Sequence, residues 1–153
     1  LMLVWGLILF LVVALLVMPK RLTVKENLIM FPFVGYFAAV AHILVGIMVD
    51  LVDFGPTKSV EFTDFVLVAF APSFIALLFL NFMKPDKPLF YTMIWTVFSF
   101  LLEVLLSFNG YMEHLEWKIW YSIPVYIVAF LTLHWFFQYV VRNGSKSSEI
   151  FKK

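Results

Sequence analysis

The sequence predicts an all-α fold: a polytopic integral membrane helical bundle with five transmembrane helices. Three observations predict it. First, 63% of the 153 residues are hydrophobic and only 14% are charged, whereas a soluble domain carries about a quarter of its residues charged. Second, five apolar stretches are each long enough to cross a bilayer. Third, the basic residues between those stretches fall almost entirely on one side. This composition excludes an ordinary cytosolic globule and a disordered chain. A formal net charge of +1 is too small to attract a polyanion, so nucleic acid is not an expected partner. Cysteine is absent, which removes disulfides, thiolate nucleophiles and thiolate metal ligands together.

The five stretches are Leu1–Met18, Leu28–Val49, Phe65–Phe82, Leu89–Phe108 and Ile119–Val141, of 18, 22, 18, 20 and 23 residues. At about 1.5 Å rise per residue, each spans a hydrocarbon core of about 30 Å, the 18-residue stretches only just. Pro19-Lys20-Arg21 stops the first. Phe54-Gly55-Pro56 opens the longest loop, and Lys84-Pro85-Asp86-Lys87-Pro88 forms a tight connection between the third and fourth. Residues 1–141 are thus expected to form a single transmembrane domain. The last residues, 142–153, contain Asn143-Gly144 and several Ser and Lys, and are expected to be a flexible cytoplasmic tail.

Orientation follows from the positions of Lys and Arg near the span ends. With the N-terminus outside, the inner segments hold Lys20, Arg21, Lys25, Lys84, Lys87, Arg142, Lys146, Lys152 and Lys153, nine in all, against Lys58 and Lys118 outside. Five spans then leave the C-terminus inside. Asp50, Asp53, Glu61, Asp64, Glu113 and Glu116 give the outer face its acidity. No basic residue precedes the first span and no small-residue cleavage pattern follows it, so it is read as an uncleaved anchor rather than a signal peptide. Trp117, Trp120 and Tyr121 at one end of the last span, and Trp135 and Tyr139 near the other, suit the headgroup zones.

Ionisable side chains inside lipid are expensive and point to function or to helix contact. Three fall within the spans: His42, Glu103 and His134, with Asp50 at the outer end of the second. Around Glu103, the residues Thr92, Thr96, Ser99, Glu103 and Ser107 recur at helical spacing and form one polar stripe. Gly35, Ala39, His42, Gly46 and Asp50 make a second stripe, whose small residues permit close helix approach. His42 lies fourteen residues after Leu28, and Glu103 fourteen after Leu89. Equal depth, about 21 Å from the inner boundary, suggests that the second and fourth helices face each other, with Glu103 bonded to His42 and Asp50 above them. Two readings stay open. The pair sets helix register, or it is a proton or cation site, since a carboxyl and an imidazole side by side can pass a proton between them. His134, followed by Gln138 at i+4, reads as an interfacial or packing histidine. Pro32, Pro72 and Pro124 can kink their helices, with Ser73 and Ser122 close to two of them.

No zinc-protease, serine-nucleophile or phosphate-loop motif is present, and the membrane histidines lie at different depths. No catalytic residues, metal site or cofactor are therefore expected. Nor do two repeated halves appear, as an inverted-repeat transporter would require. The expected role is a non-enzymatic membrane assembly or accessory component in a cell membrane, partnered by the lipid bilayer and by a homo-oligomer or a larger membrane protein. The alternative is a small proton- or cation-linked transporter or channel subunit using Glu103, His42 and Asp50.

Glu103 followed by Trp117-Lys118-Ile119-Trp120-Tyr121-Ser122-Ile123-Pro124-Val125-Tyr126 resembles a family of small uncharacterised multispanning membrane proteins of spore-forming Firmicutes, relatives of Bacillus and Clostridium. The resemblance covers roughly the last third of the chain. It implies a bacterial inner-membrane protein and carries no activity with it.

Overall fold

The computed structural model describes residues 2–49, 51–54 and 61–143. Five α-helices follow one another: α1 (Met2–Val17), α2 (Val24–His42), α3 (Phe62–Phe82), α4 (Pro88–Phe108) and α5 (Ser122–Phe136). A π-helical turn, Ile43–Met48, extends α2; another, Phe137–Arg142, extends α5, which is entered through a 3-10 turn at Ile119–Tyr121. Among the described residues, four helical stretches are long and apolar enough to cross a membrane: Val24–Gly46, Phe62–Phe82, Pro88–Phe108 and Ile119–Arg142. α1 has 16 residues, about 24 Å of helix.

Caps move the helix starts away from the apolar boundaries. The Thr23 Oγ1 accepts from the Glu26 N–H at 3.2 Å, and the Thr23 N–H donates to Glu26 Oε2 at 2.7 Å. This reciprocal box satisfies two orphan donors, so α2 begins a turn before Leu28. Glu61 and Asp64 make the same arrangement, and α3 begins before Phe65. α4 starts with Pro88 in its first turn, where a missing N–H does no harm. It follows a tight turn closed by the Lys87 N–H on the Lys84 carbonyl.

α3 is the hub. Of its span, 56% is buried within the chain, against 6% for the α2 span and 11% for the α5 span, and it packs against all four other helices. Val4, Leu7 and Leu11 of α1 meet Leu67, Ala71 and Leu78 of α3. α2 approaches α3 closely at Gly35, where an added Cβ would lie 3.0 Å from Ser73 Oγ and 3.1 Å from the Ala69 carbonyl oxygen. That contact accounts for the small residue, although the neighbour is α3 and not α4. The Ser73 hydroxyl lies 2.9 Å from its own Ala69 carbonyl and 3.0 Å from the Phe31 carbonyl across the interface.

One end of the bundle is tied by Asn81, which is fully buried. Its Oδ1 accepts the N–H groups of Arg21 (3.1 Å) and Leu22 (3.0 Å), and its Nδ2 donates to Asn27 Oδ1 and the Leu77 carbonyl. One amide thereby holds the α1–α2 connection against α3. Arg21 adds a bond to the Met83 carbonyl, and Arg142 pairs with Glu26 at 3.2 Å. Arg142, expected at the start of a loose tail, instead closes the last helix. Residues 144–153 lie outside the described residues.

At the other end the helical bundle carries a short ribbon that the apolar spacing did not foretell. β1 (Val52–Phe54) and β2 (Met112–His114) pair antiparallel, with Val52 opposite His114 and Phe54 opposite Met112. The Leu115 N–H continues the ladder to the Leu51 carbonyl. Strand pairing gives backbone groups of these two loop segments partners within the protein. It also joins the loop after α2 to the loop after α4, which positions the site.

Candidate functional site

The polar stripe of α4 faces inward. Thr92, Thr96, Ser99 and Glu103 are each 6% exposed or less, while Met93, Val97 and Leu101 on the opposite side are more than half exposed. α4 packs chiefly on α5, so the stripe is covered by protein and the apolar side is left to lipid. A polar group in this position must find its partners within the protein.

Glu103 finds three. Oε1 accepts from the Ser122 hydroxyl at 2.6 Å and meets His114 Nε2 at 2.8 Å, and Oε2 accepts from the Tyr126 hydroxyl at 2.7 Å. Ser122 and Tyr126 are four residues apart on the first turns of α5, so both point to the same carboxylate. Ser122 in turn accepts from the Trp117 indole N–H at 3.0 Å. On the far side of its ring, His114 Nδ1 lies 3.4 Å from Ser107 Oγ. Thus α4, α5 and the last residue of β2 converge on one carboxyl group.

The expected contact between Glu103 and His42 is not formed. α2 rests on α3 and α4 rests on α5, and equal depth does not choose the neighbour. The His42 ring instead lies over Gly46, whose added Cβ would sit 3.1 Å from its Cε1, within electrostatic reach of Asp64. Asp50 lies outside the described residues. Ser107 reaches the network only through the long His114 contact. The histidine that does reach Glu103 was hidden because it belongs to a short loop between spans, where a polar residue is ordinary. A readable signal was the Ser122, Tyr126 pair at i+4, two hydroxyls on one face of an otherwise apolar entry.

A second carboxylate holds the other end of β2. Asp64, expected among the exposed outer acids, is 2% exposed. Its Oδ1 accepts from the Tyr111 hydroxyl at 2.5 Å, while Oδ2 accepts from the Glu61 N–H. Burial, together with the hydrogen bond and charge of Asp64, pushes the Tyr111 phenol well above its ordinary range. A raised folded-state value means that this proton's contribution to stability is complete below the unfolded value of about 10 and is lost as pH rises towards the folded one. Tyr111→Phe is therefore expected to cost about 1.5 kcal/mol at neutral pH, with the difference from wild type shrinking on the alkaline side. Unfolding in detergent across a pH series checks this; a constant difference up to strongly alkaline pH would disprove the linkage.

Two clefts open elsewhere. One, of about 370 Å³, is lined by Pro85, His134, Gln138, Tyr139, Arg142 and Asn143. The other, of about 290 Å³, runs between α2 and α3 beside Pro32, Gly35, Tyr36, Phe65 and Phe70. Neither is lined by Glu103 or its partners. Among the described residues, no three His, Asp or Glu side chains gather as a metal site. The Glu103 cluster can fix three chain segments against one another.

No protein-family model matches this chain, and no curated protein or solved structure is similar enough to match it.

Proposed function

We propose that the chain is a five-span protein of a bacterial inner membrane, N-terminus outside and C-terminus inside, acting as a non-enzymatic component that assembles with further copies or a larger membrane partner. The spore-former resemblance supports the setting. The side-by-side packing of α1 on α3 supports a fifth span, since a helix laid along a spanning helix shares its environment. The gathering of Arg21, Lys84 and Arg142 at one end supports the orientation.

One observation carries the non-enzymatic role: Glu103 has its oxygens occupied by three donors and touches neither cleft. A group so enclosed is suited to holding helices together. The peripheral α2 and α5 leave broad apolar surfaces for lipid or partner helices. The test is reconstitution into proteoliposomes with a pH gradient, alongside cross-linking in native membranes. The expected result is a cross-linked assembly and no proton or cation flux above that of empty vesicles.

A second reading, a proton- or cation-linked transporter or channel subunit, draws on a specific feature. The Thr92 and Thr96 hydroxyls, on the Glu103 stripe, are buried and have no hydrogen-bond partner among the described residues. Unsatisfied buried hydroxyls in line with a carboxylate are what a file of water would occupy. Flux carried by the wild type and abolished by Glu103→Gln would establish that reading over the first.

A further inference from the structure

The cleft at the end of α5 has a chemistry of its own. It lies where the π-helical turn Phe137–Arg142 passes the connection between α3 and α4, and Pro85 forms its far wall. The wider π turn is a frequent local adjustment at functional sites. Of the side chains lining it, His134, Gln138 and Arg142 stand on one helical stretch at spacings of four. His134 Nδ1 is buried and has no hydrogen-bond partner among the described residues.

The surroundings are basic and interfacial. Pro85 is flanked by exposed Lys84, and Lys87 follows in the same turn. Arg21 is held beside this connection by its bond to the Met83 carbonyl. Among the described residues, the acids facing the region are Glu26, paired with Arg142, and exposed Asp86. At the rim of the cleft and beyond it the surface turns apolar and aromatic: Tyr139, which lines it, and Trp135 on one side and Leu89 and Phe90 on the other are all more than half exposed. Aromatic side chains of this kind favour the headgroup level, and basic side chains there attract anionic headgroups.

We propose that this cleft binds the phosphodiester headgroup of an anionic phospholipid. The Arg142 guanidinium, paired with Glu26 and lying over the Phe137 ring, supplies the charge. Gln138 and the protonated nitrogen of His134 supply neutral donors. The acyl chains run along the exposed apolar sides of α4 and α5. A free phosphate shares the headgroup's chemistry, but only a lipid also uses the apolar surface beside it. The inference rests on the membrane-spanning reading and is independent of the assembly role.

The test uses the full chain in nanodiscs made from equal parts phosphatidylcholine and phosphatidylglycerol, with retained lipid measured by native mass spectrometry after release. Wild type is expected to retain phosphatidylglycerol in preference to phosphatidylcholine, and Arg142→Gln to lose about fivefold of that preference. Glu26→Gln breaks the same ion pair yet leaves the guanidinium, so its preference should match or exceed wild type. Gln138→Leu keeps the ion pair and should lose roughly threefold. Excess inorganic phosphate should not displace the lipid. Equal retention of the two lipids by wild type, unchanged preference in Arg142→Gln and Gln138→Leu, or displacement by phosphate alone would each overturn the proposal. A chain that never enters the nanodisc would overturn the membrane-spanning reading itself, an outcome distinct from entry without lipid preference.

Discussion

Exchanging Glu103 for Leu is expected to destabilise the bundle by about 2–4 kcal/mol in detergent. The substitution removes the shared acceptor of Ser122, Tyr126 and His114 and leaves these buried groups without it. Individual interhelical hydrogen bonds in membranes are worth only about 0.6–1.7 kcal/mol, so the size of the effect comes from three acting on one group. Glu103→Gln should cost less, about 1 kcal/mol. Its amide oxygen can still serve Ser122 and His114, and the Tyr126 hydroxyl can turn to accept from the new NH2. Unfolding by SDS titration, followed by circular dichroism, measures both. Trp117 provides a local signal, because its indole bond to Ser122 depends on the same arrangement. A Glu103→Leu protein as stable as wild type, with unchanged Trp117 fluorescence, would mean that this network does not hold α4 to α5.

Asn81→Leu is expected to have an effect of similar size at the opposite end, about 2–4 kcal/mol. Leucine fills nearly the same space, so packing is largely retained and the loss is one of hydrogen bonding. Two backbone N–H groups, of Arg21 and Leu22, lose their acceptor, and Asn27 loses a donor. Buried backbone donors stripped of a partner carry their full desolvation penalty. The α1–α2 connection should then open locally before the bundle unfolds. Trypsin acting at Lys20 and Arg21 reports that opening: cleavage should be faster in Asn81→Leu at denaturant concentrations where the helical signal is unchanged. Cleavage at the wild-type rate would show that the amide does not restrain the connection.

These sites differ in how visible they were in the chain. Thr92, Thr96, Ser99 and Glu103 announce an inward face because polar residues at helical spacing in an apolar helix would be costly if turned to lipid. Gly35 likewise marks a close helix approach. The neighbours were another matter. His42 and Glu103 stand equally far along their apolar stretches, yet α2 packs on α3 and α4 on α5. His114 is a single polar residue in a loop, and Asp64 stands among other acids at a helix start. Nothing along the chain separates them from solvated surface. Asn81, one amide near the end of an apolar run, is equally silent.

By itself, the sequence determined the apolar class of the chain, its helical stretches and the inward polar face of α4. All are consequences of local spacing and of transfer between water and lipid, which each segment experiences alone. Only the tertiary structure decided that α3 is the hub, that a two-stranded ribbon joins two loops, and that Glu103 belongs with His114, Ser122 and Tyr126. Partner choice between helices depends on shape at close contact and on which distant donors can reach a given acceptor. Residues such as Gly35 with Ser73, or His114 with Glu103, acquire those relations only when the chain is folded.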